Sequence, residues 1–321
     1  MIIRVYYRRI SMFERKKPER KKYVFVFLLL VCIAAGSLGL TEAYLQRQTQ
    51  EEEESITVVT SFYPMYIAAM NVIGDCEGVE LENLSEPQTG CLHDYQLTAQ
   101  DMKLLSAADI FIVNGGGIET FLTDVAEEYP DLVIVDTTEG LALLEDNAHA
   151  WMSPALYEGQ VENIASALIG YVSGEVFAEA ADMASAFAEN SAAYIEKIQE
   201  LEEELDELSA DTAGGQVLIF HEAYAYVADD LSLTVAGEMD LDEERQISAG
   251  EVARMVDLIQ EEGVSVILAE ELYGTDMCEA ISAEVEVTVL YLDPLTRGEY
   301  YADGYIDAMQ ENIQLLKAAF H

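Results

Sequence analysis

One stretch near the middle of the chain constrains its fold more than any other. Residues 178–209 contain no proline or glycine and consist almost entirely of good helix formers. Near the end of this stretch, apolar residues recur at the three- and four-residue spacing of one helical face: Ile195, Ile198, Leu201, Leu205 and Leu208. At the α-helical rise per residue, such a helix is about 45 Å long. We therefore predict a long helix over residues 178–210.

This helix has two possible roles. It could lie on the outside of one domain with its glutamates solvated, or it could join two lobes. Similar patterns on its two sides favour the second role. Short apolar runs lie before it, at residues 56–59, 110–113 and 132–135, and after it, at residues 217–220, 264–269 and 287–292.

Most of these runs show little alternation, and helical segments separate them, which is typical of parallel sheets covered on both faces. A chain of 321 residues is long enough for two such units. We predict an α/β fold of two lobes, residues 55–177 and 211–321. Each lobe has a mostly parallel sheet flanked by helices, and one long rigid helix joins them.

The amino terminus has a separate character. Ten of the 16 Lys and Arg residues lie at or before Arg47, and many of them precede an uncharged apolar run at residues 23–40. This run is long enough to be a membrane anchor or a secretion signal, and the two remain open. Basic residues ahead of it predict a cytoplasmic segment at 1–22 and an outside location for the globular part. Val31 before Cys32 argues against lipidation, and residues 41–54 read as an acidic linker.

Beyond the amino terminus the chain is strongly acidic. Only three of the 61 Asp and Glu residues lie before residue 48. Such a surface repels nucleic acid and gathers cations. The alternative explanation is an adaptation of the host to salt or solubility. In an oxidising compartment a Cys76–Cys91 disulfide is plausible, which would leave Cys278 as a lone buried thiol.

Histidine is scarce, which makes its placement informative. His93 and His149 precede the long helix, His221 follows the run at 217–220, and His321 ends the sequence. Two acidic residues, Glu270 and Asp293, also follow apolar runs. Ligands of open α/β sheets bind beyond the carboxyl ends of the strands. Three imidazoles and a carboxylate are a common zinc shell, although imidazole also suits other metals.

The chain resembles a known family over residues 56–320. The resemblance rests on the order and spacing of short motifs: SFYP at 61–64, HDY at 93–95, AD at 108–109 leading to NG at 114–115 and Glu119, HAWMSP at 149–154, HEAYAY at 221–226 and LDPL at 292–295. Together they resemble the substrate-binding proteins of zinc and manganese ABC transporters. The fold of that family is two α/β lobes bridged by a single long helix.

The resemblance implies His93, His149, His221 and Asp293 as the four metal ligands. A histidine at the third position in this family favours zinc and a glutamate favours manganese, so zinc is expected here and manganese is the alternative. Glu270 matches an acidic position near the family's site. We therefore expect Glu270 to be a fifth ligand or a residue that contacts a ligand. Two departures are Cys91 and a short loop before His149 that lacks a histidine-rich insertion.

The function expected from this resemblance is that of an extracytoplasmic, monomeric, high-affinity zinc receptor. It would deliver the metal to an ABC transporter permease, which works with an ATPase. A secreted zinc hydrolase is the alternative among enzymes. His221 and Glu222 do not continue into the H-E-x-x-H spacing, and Asp293 would close the site, so we predict no enzyme. A surface adhesin on the same scaffold is a further alternative that the residues do not test.

Overall fold

The structure is a computed structural model that describes residues 24, 25, 27, 29, 30, 33, 55–86, 92–93, 95–145, 147–174, 179–241 and 246–320. It divides into two compact units, Met1–Glu54 and Ser55–His321. In the first unit the described residues between 24 and 33 are helical and exposed. No helix in the described part of the chain is both long and apolar enough to cross a membrane. The predicted segments 1–22 and 41–54, most of the run at 23–40, Cys32 and Cys91 lie outside the described residues.

The first half of the second unit contains, in chain order, β1 (Ile56–Thr60), α1 (Tyr63–Ile73), β2 (Val79–Asn83), α2 (Ala99–Leu105), β3 (Ile110–Val113), α3 (Leu122–Glu128) and β4 (Val133–Asp136). The four strands form a parallel sheet in the order β2-β1-β3-β4. A 3-10 turn at Ala150–Met152 and the helix α4 (Pro154–Gly174) follow. Strand β3 is buried along its whole length, as its four apolar residues require.

The second sheet repeats this topology. The elements are β5 (Gln216–Ile219), α6 (Tyr224–Asp230), β6 (Thr234–Glu238), α7 (Ala249–Glu262), β7 (Val266–Ala269), α8 (Glu271–Ser282), β8 (Thr288–Tyr291) and α9 (Gly304–Phe320). Its four parallel strands have the order β6-β5-β7-β8. The predicted fold class, two parallel sheets flanked by helices, is confirmed.

The long helix α5 spans Ala180–Thr212, 33 residues. The predicted start at residue 178 lies outside the described part, and the helix runs two residues past the predicted end. Its buried residues recur every three or four positions: Met183, Phe187, Ser191, Tyr194, Ile198, Leu201, Leu205, Leu208 and Thr212. This stripe packs against α1 and α4 of the first lobe and α6 and α9 of the second. The helix therefore links the two sheets.

The two sheets also share one hydrophobic core, to which strands of both contribute buried residues. Tyr157 of α4 and Tyr305 of α9 stack with ring centroids 3.7 Å apart, and both side chains are fully buried. The Tyr157 hydroxyl donates to the Pro64 carbonyl oxygen, and the Tyr305 hydroxyl donates to the Trp151 carbonyl oxygen. The described residues of the unit Ser55–His321 thus form one compact body, and the lobe boundaries at 177 and 211 stay a prediction.

Candidate metal centre

His149 is the best-defined side chain of the centre. It lies just before the 3-10 turn and is fully buried. Asn147 Oδ1 accepts the His149 backbone N–H at 3.0 Å and lies 2.9 Å from His149 Nδ1. Because an amide oxygen can only accept, Nδ1 carries the ring hydrogen. Nε2 is then left with the lone pair that a metal would bind.

His93 faces that lone pair from the loop between β2 and α2. Its Nε2 lies 3.4 Å from His149 Nε2, and the ring centroids are 5.1 Å apart. The His93 side chain is about one third exposed, whereas His149 is enclosed. The pair therefore presents one buried and one accessible imidazole nitrogen to the same point.

A carboxylate from the second lobe completes this group. Glu222 follows β5, and its Oε1 lies 3.4 Å from His93 Nε2 and 3.3 Å from His149 Nδ1. A hydrogen bond with His93 lowers the pKa of the Glu222 carboxyl, so it is ionised at neutral pH. His93, His149 and Glu222 each offer one ligand atom within 4.8 Å of the others. The three residues form a site that could hold a metal ion.

The environment keeps His149 in its neutral form. Burial lowers the pKa of His149 well below its usual value, and the nearby His221 and His93 lower it further. A neutral imidazole is the form that binds metal. The His149 ring also packs beside Trp151, with centroids 4.9 Å apart.

His221 lies beside the group. It lies two residues after β5 and is fully buried, and its ring makes an edge contact with His149 at a centroid distance of 5.0 Å. Its Nδ1 accepts the Ala223 backbone N–H at 3.0 Å. The Nδ1 lone pair is therefore used, and the ring hydrogen of the neutral imidazole lies on Nε2.

Asp293 follows β8 in a well-fixed loop. Its backbone N–H donates to Asn312 Oδ1 at 2.8 Å, and its Oδ1 accepts the Leu295 N–H at 2.7 Å. The side chain reaches solvent, but the surrounding protein excludes enough water to raise the pKa of the Asp293 carboxyl. Among the described residues, the group of three that could hold a metal ion does not include Asp293.

Glu270 is engaged elsewhere. It is buried at the start of α8, and its Oε1 accepts a hydrogen bond from Arg297 Nη2 at 2.7 Å. This ion pair competes with any bond from Glu270 to a metal. Within the described part of the chain, Glu270 is also outside the group of three.

Comparison with known proteins places the chain in a family. The family described as "Zinc-uptake complex component A periplasmic" (ZnuA) matches residues 58–319. The chain belongs to the ZnuA family. The expectation drawn from the sequence motifs is thereby confirmed. The family and the fold are those of metal-binding transport receptors, which also confirms that the chain is not an enzyme.

Individual ZnuA-family relatives differ in the metal that they are named for. The chain is 24% identical over 325 residues to the high-affinity zinc uptake system protein ZnuA of Bacillus subtilis (strain 168), covering 92% of this chain and 97% of the relative. It is 25% identical over 303 residues to the manganese-binding lipoprotein MntA of Halalkalibacterium halodurans, covering 91% and 95%. The fold matches that of the substrate-binding protein FpvC of Pseudomonas aeruginosa in complex with Mn²⁺. That match has a TM-score of 0.69 and 24% identity, and it covers 83% of this chain and 98% of FpvC.

Sequence reasoning missed one member of the group of three. Glu222 was considered only as part of an H-E-x-x-H motif, which the chain lacks. The signal that could have identified it is its place directly after His221, at the carboxyl end of a buried strand. The same rule that singled out His221, Glu270 and Asp293 applies to Glu222.

Proposed function

We propose that this chain is an extracytoplasmic receptor that binds zinc and delivers it to an ABC transporter permease. One observation carries the proposal: the Nε2 atoms of His93 and His149 face each other at 3.4 Å, beside the Glu222 carboxylate. Two imidazoles at this distance, one of them buried and neutral, are arranged to bind a cation. The first lobe supplies both histidines, and the second lobe closes the site.

We propose the ligand set His93, His149, His221 and Asp293. The position of the His221 ring against His149 supports its inclusion. Asp293 is supported by its fixed backbone and its place at a strand end. Glu270 forms an ion pair with Arg297. We therefore propose that Glu270 adjusts the charge around the site and does not bind the metal.

Zinc is the proposed cargo because three of the four proposed ligands are imidazoles, which suit borderline metals. Manganese, which prefers oxygen ligands, is the alternative. The names of the relatives include both metals, so sequence similarity alone does not choose between zinc and manganese.

The proposed location is outside the cytoplasmic membrane, with residues 23–40 as an anchor or a removed signal. The permease and its ATPase are the proposed partners, and the receptor acts as a monomer. The acidic surface supports capture because it raises the local concentration of cations and speeds their encounter with the site.

Elemental analysis tests metal binding directly. The purified full chain is stripped of metal, offered equal zinc and manganese, and washed. We expect one zinc per chain, and a large loss of bound zinc in His149→Ala. His321→Ala, which removes a histidine outside the proposed set, is the matched control. Manganese in preference to zinc would overturn the choice of cargo, and no stoichiometric metal would overturn the function.

Delivery needs a second test. The zinc-loaded chain should stimulate ATP hydrolysis by the reconstituted permease and ATPase of its host, and the His149→Ala chain should not. Equal stimulation by both chains would show that the transporter does not recognise the loaded state.

A further inference from the structure

We propose that Tyr224 and Tyr226, in the first turn of α6, are positioning residues of the metal centre. Each hydroxyl holds the backbone just ahead of a proposed ligand, Asp293 in one case and His149 in the other. This inference rests on the proposed function and deepens it, because it identifies how the second lobe fixes ligands that come from both lobes.

The Tyr226 hydroxyl reaches from the second lobe to the first. It donates to the Asn147 carbonyl oxygen at 2.6 Å and accepts the Leu144 backbone N–H at 3.2 Å. Tyr226 is buried, and its hydroxyl uses both its donor and an acceptor lone pair in these bonds. One hydroxyl therefore holds the chain at two points shortly before His149.

Asn147 carries this constraint to the His149 ring. Its Oδ1 lies 2.9 Å from His149 Nδ1, and its Nδ2 donates to the Glu222 carbonyl oxygen at 2.8 Å. The second lobe thus holds Asn147 by its backbone, through Tyr226, and by its side chain, through the backbone of Glu222. A displacement of Asn147 would move the acceptor that orients the imidazole.

The Tyr224 hydroxyl acts within the second lobe. It donates to the Leu292 carbonyl oxygen at 2.6 Å, one residue before Asp293, and Tyr224 is fully buried. The Tyr224 ring also lies beside the His221 ring, with centroids 5.8 Å apart. Tyr224 therefore contacts the His221 side chain and the segment that carries Asp293, and both of these residues are proposed ligands.

The spacing of the two tyrosines explains why they reach different segments. At 3.6 residues per turn, side chains two residues apart lie about 200° apart around a helix, so they point in nearly opposite directions. Tyr224 therefore reaches the end of β8, whereas Tyr226 reaches the loop before the 3-10 turn. The motif HEAYAY at 221–226 thus places one proposed ligand and two positioning hydroxyls within six residues.

A purely structural role is the competing explanation, because a buried tyrosine hydroxyl needs a hydrogen-bond partner wherever it lies. Tyr157 provides the comparison. It is fully buried, and its hydroxyl donates to the Pro64 carbonyl oxygen at 3.0 Å. No proposed ligand lies next to Pro64 in the sequence. Tyr157→Phe therefore removes an equivalent hydroxyl without releasing a segment that carries a ligand.

The test compares Tyr224→Phe, Tyr226→Phe and Tyr157→Phe in the full chain. Urea unfolding without metal gives the stability of each variant, and competition with a chelator gives its affinity for Zn²⁺. All three should be less stable than wild type, since each leaves a buried carbonyl without its donor. Tyr157→Phe should nevertheless bind Zn²⁺ as tightly as wild type.

The two α6 variants should also bind Zn²⁺ more weakly. Loss of a group that bonds a metal ligand directly weakens binding by about 10–100-fold. Tyr224 and Tyr226 act through the neighbouring backbone, so we expect a smaller loss, of about 3–10-fold, in Tyr224→Phe and in Tyr226→Phe.

A loss below about threefold in either α6 variant would overturn the positioning role of that tyrosine. An equal loss in Tyr157→Phe would overturn both roles and assign the effect to general destabilisation. In each of these cases the wild-type chain still binds zinc, and the proposed function stands. A wild-type chain that binds no zinc would overturn the receptor function, and the positioning roles with it.

Discussion

The Trp151 indole N–H donates a hydrogen bond to the Pro294 carbonyl oxygen at 2.8 Å, across 143 residues of sequence. Trp151 follows the histidine at 149, and Pro294 follows the aspartate at 293. The bond therefore ties the two segments that carry proposed ligands from opposite lobes. Phe62 packs against the edge of the same indole with a centroid distance of 5.0 Å.

Trp151→Phe should destabilise the fold. The change leaves the Pro294 carbonyl without its donor and a gap in a fully buried position. A buried acceptor without a partner costs about 1–3 kcal/mol in the free energy of unfolding, and the gap adds to this. Urea unfolding followed by circular dichroism measures the effect. Tyr129→Phe, which removes a hydroxyl bonded to the Met102 carbonyl within the first lobe, is the control. Wild-type stability in Trp151→Phe would contradict the role of this bond.

Asn147→Ala should weaken zinc binding by about 10–100-fold, the usual effect of losing a residue that orients a metal-binding histidine. The reason is that Asn147 Oδ1, at 2.9 Å, is the nearer of the two acceptors at His149 Nδ1, the other being Glu222 Oε1 at 3.3 Å. Chelator competition measures the affinity. Asn163→Ala removes an asparagine that bonds the Thr137 and Glu139 carbonyls instead and should leave zinc affinity unchanged. Equal affinities in the two variants would show that Asn147 does not orient the ligand.

Metal affinity should fall as pH falls. Protons compete with the metal for imidazole and carboxylate, and binding must displace any that are present. The pKa of His149 lies well below its usual value because the ring is buried, so its own protonation opposes binding only well below pH 6.5. Zinc titrations at pH 8, 7, 6 and 5, followed by Trp151 fluorescence, measure the trend. An affinity that is constant over this range would rule out a histidine site.

Asp230→Asn should stabilise the fold in a manner that depends on pH. Burial raises the pKa of the Asp230 carboxyl to about 7, and Oδ2 has no partner among the described residues. Between about pH 4 and 7 the Asp230 carboxyl is protonated in the folded wild type and ionised in the unfolded chain. The free energy of unfolding of the wild type therefore falls as pH rises through that range.

We expect Asp230→Asn to be more stable than wild type by about 1–3 kcal/mol at pH 8 and by little at pH 4. Urea unfolding at both pH values gives the comparison. Asp229→Asn removes the exposed neighbouring carboxylate and should stay within about 0.5 kcal/mol of wild type at each pH. A gain in Asp230→Asn that is equal at both pH values would contradict the assignment.

Metal binding should change the overall dimensions little. The lobes are already joined by the shared core, by Asn147 Nδ2 bonded to the Glu222 carbonyl, and by the Tyr226 hydroxyl bonded to the Asn147 carbonyl at 2.6 Å. X-ray scattering with and without zinc should show radii of gyration that agree within roughly 1 Å, because the backbone of a pre-organised binding partner moves by about that distance or less. A larger decrease would indicate a hinge movement that these bonds do not allow.

The sheets were predictable where burial dominates. Strands β3 and β7 are continuous apolar runs because they lie in the middle of their sheets. Strand β6 was not identified, because this edge strand has exposed ends and contains Gly237. Helix α6 was not identified either, since Ala223 precedes it and offers no capping side chain.

The site was predictable only in part. Residue type and scarcity drew attention to His93 and His149, and the structure places them together. Glu222 is one of many glutamates, and only its position against two imidazoles distinguishes it. Likewise, the bond between Arg297 and Glu270 joins residues 27 positions apart and has no local sequence signal.

Helix α5 gives the chain a further property. Its buried stripe serves both lobes, so neither lobe can unfold without exposing apolar surface that belongs to the other. The two sheets are therefore expected to melt together in a single cooperative transition. We therefore expect the metal-free chain to resist proteolysis, because the shared helix keeps both lobes folded. A chain that has released its metal can then bind metal again.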